Sequence, residues 1–150
     1  MTATLEGARE LAAKLAELGK ATSGRVLKAA VYEAMLPTYR QALATIPVGS
    51  KSHITYKGRR VEPGFAQENL RLKTWIGRDK TAATAMVGVA PEAFYVLRFI
   101  ELGTSKYPAT PWLTPAFEAS RDEAVAEVGR QFRTRIERIA RRRAAKAARA

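Results

Sequence analysis

Apolar residues recur at three- and four-residue steps at the start of the chain, at Leu5, Ala8, Leu11, Ala12, Leu15 and Leu18. That spacing puts them on one stripe of an amphipathic helix. Gly19 reads as its stop, and Thr22 or Ser23 as the cap of a second helix. Leu27, Val31, Met35, Tyr39 and Leu43 continue the helical period to about Ala44. Pro37 falls inside this second pattern, removes the hydrogen bond to Glu33, and predicts a kink or split near Leu36. Ile46-Pro47-Val48-Gly49 closes the helical part.

The pattern then changes. Residues 48–66 are polar, glycine-bearing and basic, and read as a long exposed excursion. Within it, Ile54-Thr55-Tyr56, turning at Lys57-Gly58 into Arg59-Arg60-Val61, predicts a small β-hairpin. Leu70, Leu72, Thr74 and Ile76 alternate with Arg71, Lys73 and Trp75, a strand period. Arg78-Asp79-Lys80 makes a polar turn. Thr81 to Val89, with Ala85, Val87 and Val89 on one face, reads as the antiparallel partner. Pro91-Glu92 starts one helical turn, and Phe94–Leu97 fits helix or strand. Phe99–Leu102 reads as a third strand.

A proline-punctuated stretch follows. Gly103 can take positive φ and turn the chain sharply. Pro108, Pro111 and Pro115 remove three backbone donors. Pro115 pushes Thr114 out of the α region, so Thr114 is expected to cap a last helix with Pro115 at its first position. Trp112 and Leu113 sit just before that cap and can plug the core. Phe117, Val125, Val128, Phe132, Ile136 and Ile139 then keep one face to about Ala140. The segment beyond is helix-prone with nothing apolar to bury. The fold expected is α+β: two N-terminal helices, a small mainly antiparallel sheet, and a long C-terminal helix crossing it and extending beyond the body. Residues 1–140 form a single domain with the excursion at 48–66, and 141–150 an Arg/Lys-rich extension.

Length and composition fit this picture. The chain has 150 residues, enough to bury a core, and no cysteine, which excludes disulfides and thiolate metal sites. No run reaches the length of a membrane helix, and the N-terminus lacks the features of a secretion signal. The net charge is +12. Most of it lies in one place. From Arg130 onward come Arg130, Arg133, Arg135, Arg138, Arg141, Arg142, Arg143, Lys146 and Arg149, against the single acid Glu137.

No catalytic, cofactor-binding or metal-binding set emerges from the residue types. His53, the only histidine, reads as an exposed loop residue. Val48-Gly49-Ser50-Lys51 lacks phosphate-loop spacing. Asp122 and Glu123 read as acids in a helix first turn, where the dipole accounts for them. Glu101 is the one acid within the apolar run 94–102. It serves either as a ligand or inter-subunit ion pair, or as a carboxylate accepting the backbone N–H groups of Gly103 and Thr104. The basic end has three readings: docking on an acidic protein, neutralising nucleic-acid phosphates, or a solvated helix terminus. Candidate contacts to a partner or nucleic acid are Lys57, Arg59, Arg60, Arg138, Arg141, Arg142, Arg143 and Lys146.

Phe99-Ile100-Glu101-Leu102-Gly103-Thr104, a short spacer, and Thr110-Pro111-Trp112-Leu113-Thr114-Pro115-Ala116-Phe117-Glu118 resemble the "vEfGT … PFlrPA" signature of a phage family. Its members are minor tail components of long-tailed phages, described as tail-completion or head–tail joining proteins, and relatives of the lambda minor tail protein Z. Glu101, Gly103, Thr104, Pro111, Leu113, Pro115 and Ala116 match the signature. Trp112 stands where Phe is usual, and Thr114 where Arg is usual. Upstream, Gly64 with Asn69-Leu70-Arg71 is similar to the family's "tG.Lr.si" element, with extra residues before it. The resemblance covers roughly residues 25 to 130. It implies a non-enzymatic structural protein of the virion neck that needs no cofactor. It further implies a homo-oligomeric ring of six copies around the DNA channel, contacting neighbouring neck and tail-tube proteins and the passing DNA, with no membrane. A tail-terminator ring is close to this. A non-sequence-specific nucleic-acid-binding protein is the alternative from a different class.

Overall fold

The computed structural model describes residues 8–17, 19–54, 58 and 60–149. It is α+β. The elements in chain order are α1 (Ala8–Glu17), α2 (Lys20–Ala34), α3 (Leu36–Thr45), β1 (His53–Ile54), β2 (Arg60–Val61), α4 (Phe65–Glu68), β3 (Leu70–Ile76), β4 (Ala83–Val89), α5 (Pro91–Leu102) and α6 (Leu113–Ala147). The strands form two separate two-stranded antiparallel sheets, β1–β2 and β3–β4, rather than one. Leu5 and Leu18, and the side chains of Ala8, Leu11, Ala12 and Leu15 that complete the first stripe, lie outside the described residues, as do Thr55, Tyr56, Lys57 and Arg59.

Gly19 separates α1 from α2 as expected, with φ +77°. It also serves as the N-cap of α2, so Thr22 and Ser23 lie inside the helix and cap nothing. The Pro37 interruption is present: helix breaks at Met35 and restarts at Leu36. The inward face differs from the expected one. Val26, Ala30, Ala34, Thr38, Ala42 and Ile46 are buried, while Leu27, Val31, Met35, Tyr39 and Leu43 are half-buried beside them. Small residues at four-residue steps let another backbone come close, and the bulkier stripe one position on fills the flank.

The chain divides into two compact units. One comprises Met1–Leu36, Lys73–Met86 and Asp122–Ala150, the other Pro37–Leu72 and Val87–Arg121. In the first, Val26 and Ala30 of α2 form a core with Phe132 and Ile136 of α6, flanked by Leu27, Val128 and Ile139. This core is helix on helix. Among the described residues it holds no strand residue; the last helix meets strand residues in the other unit, where Ala116 clusters with Leu70 of β3 and with Val87 and Val89 of β4. In the second, Ala42, Ile46, Leu70, Ala93, Leu97, Trp112 and Ala116 form the core.

The strands follow the alternation. In β3, Leu70, Leu72, Thr74 and Ile76 turn inward and Arg71, Lys73 and Trp75 outward. The β1–β2 hairpin pairs His53 with Val61 and Ile54 with Arg60. The excursion is shorter than expected, because Val61 is buried and Phe65 and Ala66 of α4 pack on the second core.

Three expectations fail downstream. Phe99–Leu102 is the end of helix α5, and no third strand forms there. Pro91 at the first helical position, after an extended Ala90, starts this helix. Ala93 and Leu97, one turn apart, anchor it in the core. Thr114 lies inside α6, which begins at Leu113. Asp122 and Glu123 are therefore more than two turns in, beyond the reach of the dipole argument; both are exposed. On α6 the buried residues are Ala116, Ser120, Ala124, Gly129, Phe132 and Ile136, and Phe117 is exposed. The helix has 35 residues, about 52 Å at 1.5 Å per residue.

Candidate functional site

The segment bearing the signature folds into a joint between the end of α5 and the start of α6. Gly103 ends α5, its N–H bonded to the carbonyl of Phe99 at 2.8 Å. Its φ of +73° and ψ of 179° are a conformation that essentially only glycine adopts. Thr104 then closes a tight turn. Its N–H reaches the Tyr107 carbonyl at 2.8 Å, and its hydroxyl accepts the N–H groups of Lys106 and Tyr107 at 3.2 and 3.1 Å. The N–H of Thr110 returns to the Ile100 carbonyl at 2.8 Å. The chain thus comes back alongside the helix it has just left.

That return places the Glu101 carboxylate over the N-terminus of α6. One oxygen accepts the N–H groups of Trp112 (2.7 Å) and Leu113 (2.9 Å). The other accepts the N–H (2.9 Å) and hydroxyl (2.5 Å) of Thr114. A helix leaves its first N–H groups unsatisfied and carries partial positive charge there, and Glu101 answers both needs from another element. The expected partners, Gly103 and Thr104, are wrong: their N–H groups go to Phe99 and Tyr107. All four of these bonds are internal to the chain.

Burial raises the Glu101 pKa, but the Thr114 hydroxyl and the N–H groups of Leu113, Trp112 and Thr114 outweigh it, and the net shift is downward from 4.5. A depressed folded-state pKa means stability that is present above the unfolded value and lost as pH falls through the lower folded one. The protein is therefore expected to lose thermal stability on acidification below about pH 4.5, and Glu101→Gln to lose part of that dependence. Equal slopes for both proteins between about pH 5 and 2 would contradict this cap.

Trp112 is 3% exposed. Its carbonyl accepts the Thr45 hydroxyl of α3 at 2.8 Å, and its indole N–H points to the Leu97 carbonyl at 3.5 Å. Ala116 is fully buried in the same core, while Pro111 and Pro115 are exposed. A buried pair unforeseen in the sequence, Thr38 and Ser120, joins α3 to α6 by hydroxyls 2.7 Å apart. The Ser120 hydroxyl also donates to the Ala116 carbonyl at 2.8 Å. The only hint in the sequence is a polar residue on the four-residue step Ala34, Thr38, Ala42.

The described basic candidates fall in both units, Arg60 in one and the end of α6 in the other. Arg60 is held in its hairpin by Glu62 at 2.7 Å; Lys57 and Arg59 lie outside the described residues. Arg138, Arg141, Arg142, Arg143 and Lys146 are exposed on the last turns of α6. Two other cations in this region serve the fold: Arg130 pairs with Glu127, and Arg135 faces Glu33 of α2 at 3.9 Å. His53 is exposed on β1. Among the described residues there is no group of three or more potential metal ligands and no helix long and apolar enough to cross a membrane.

Compared with family models, curated proteins and solved structures, the chain matches none.

Proposed function

We propose that this protein is a structural component of a phage neck. It completes the tail and joins it to the head, as a homo-oligomeric ring around the DNA channel. The observation that carries the reading is the joint. Glu101, Gly103, Thr104, Trp112, Leu113 and Ala116, the residues of the phage-like signature, converge there on one structural task. A polypeptide that must present a long helix in a fixed direction needs such a brace, and the joint leaves none of these polar groups over for catalysis. A ring of six copies follows the resemblance. A tail-terminator ring uses the same features.

The basic end of α6 is the docking element in this reading. Residues 140–149 are all exposed, so they contribute little to the fold, and their cations suit an acidic surface on a neighbouring neck or tail-tube protein. A chain truncated after Ile139 is expected to melt within about 2 °C of the full protein, because Phe132, Ile136 and Ile139 are retained. The same truncation is expected to lower head–tail joining in an assembly assay by at least about tenfold. Full joining by the truncated chain would contradict the docking role.

A non-sequence-specific nucleic-acid-binding protein is the second reading, favoured by the same row of exposed cations. It predicts duplex affinity that falls steeply with salt and disappears on the same truncation. Unchanged duplex binding by the truncated chain, together with lost joining, separates the two.

A further inference from the structure

Helix α5 is apolar on more sides than its own fold covers. Ala93 and Leu97 are buried and Ile100 is half-buried, but Phe94, Tyr95, Val96, Phe99 and Leu102 are exposed, Tyr95 by 60% and Leu102 by 66%. Tyr95, Phe99 and Leu102 follow one another at helical spacing along the outer side. The rings of Tyr95 and Phe99 meet edge to face with centroids 4.5 Å apart. A contiguous exposed apolar row of this kind marks an interaction surface, and twelve residues are too few to cross a membrane.

We infer that the outer face of α5, centred on Tyr95, Phe99 and Leu102, is the seam on which a second copy of this chain packs; the inference deepens the ring reading above and rests on it. Area supports this occupant. Tyr95, Phe99 and Leu102 offer roughly 300 Å² of apolar surface, and Phe94 and Val96, on the two flanks of the helix, bring it to roughly 500 Å². One side of a standard interface buries about 800 Å², of which about 56–65% is apolar. The α5 face alone thus supplies the apolar share of one side. Composition agrees: aromatic residues are enriched and charge is depleted at the centres of interfaces. Charge points the same way. Copies carrying +12 each repel one another, and the two exposed charges of α5, Glu92 and Arg98, are opposite in sign and lie on either flank of the Tyr95–Phe99–Leu102 row, where an interface has its polar rim.

Sedimentation velocity on the full chain from about 1 to 100 μM tests the seam. The wild type is expected to sediment as a multimer, more tightly at high than at low salt, because screening removes repulsion without touching an apolar contact. The double variant Tyr95→Lys/Leu102→Lys is expected to dissociate at least about 30 times more readily. Its melting temperature should fall by no more than a few degrees, since both side chains are mostly exposed and the Tyr95–Phe99 ring contact is a small part of the fold's stability. Trp75→Lys, which removes an exposed apolar side chain from β3, is the control and should leave the multimer intact. The seam is overturned if the double variant stays multimeric, if Trp75→Lys dissolves the multimer, or if the wild type stays single at the highest concentration. The two claims fail separately. A variant that remains multimeric, in particles that still hold the chain at the head–tail junction, removes the seam and spares the neck. A multimer that dissolves as expected, from a chain absent from that junction, does the reverse.

Discussion

Chains carrying Gly103→Ala are expected to lose about 3–5 kcal/mol of stability and to melt at least about 10 °C lower than the wild type. Two effects add. The φ of +73° with ψ near 180° costs a residue with a Cβ about 1–3 kcal/mol. The new Cβ would also lie 2.7 Å from the Ala109 nitrogen, 3.1 Å from its Cα and 3.1 Å from the Tyr107 carbonyl oxygen. These are backbone atoms and cannot swing aside as a side-chain end can. Relieving the clash moves the return segment and strains the Thr104–Tyr107 and Thr110–Ile100 hydrogen bonds, each worth about 1 kcal/mol. Gly64→Ala is the informative control. Gly64 also has positive φ, +90°, but a methyl group there would meet nothing within 4 Å, so only the conformational cost of about 1–2 kcal/mol applies. Thermal melts of the two variants measure the difference. Equal losses would mean that the return segment yields freely and that the joint is not rigid.

Glu101→Ala carries the second large effect, a loss of about 2–4 kcal/mol. It removes the acceptor for three N–H groups and one hydroxyl. The N–H of Trp112 belongs to a residue 3% exposed, where water is a poor replacement. Glu101→Gln keeps one acceptor oxygen but turns an amide donor toward other donors and gives up the charge that offsets the helix dipole, so a loss of about 1–3 kcal/mol is expected. Thr114→Val removes only the hydroxyl bond and should cost about 1 kcal/mol. In a double-mutant cycle with Glu101→Ala, the Thr114→Val effect should vanish, since its acceptor is already gone. Chemical denaturation of the four proteins measures the cycle; additive losses would place the Thr114 hydroxyl in some other interaction.

These two residues also mark where the sequence is readable. The turn at Gly103 follows from residue type alone, because a glycine between an apolar run and a proline-rich stretch has few other uses. The partners of Glu101 do not. They lie 11 to 13 residues away and depend on the Thr110–Ile100 bond that folds the loop back. The helical period of residues 26–46 is evident in the sequence, but the face it points inward lies one position from the bulky stripe. Leu27, Val31 and Tyr39 carry the bulk, while the buried positions are Ala30, Ala34, Thr38 and Ala42. The 94–102 run is ambiguous for a different reason. Apolar residues on both the buried and the exposed side erase any period. The alternation in β3 is legible because one face of that strand is wet.

If the joint serves assembly, one image tests it most directly. Intact particles carrying a labelled copy of this chain, reconstructed to locate the label, should show it confined to the junction of head and tail. There it should form a closed ring, with the end of α6 turned toward a neighbouring protein. Label distributed along the tail or over the shell, or no label on the particle at all, would contradict a neck role.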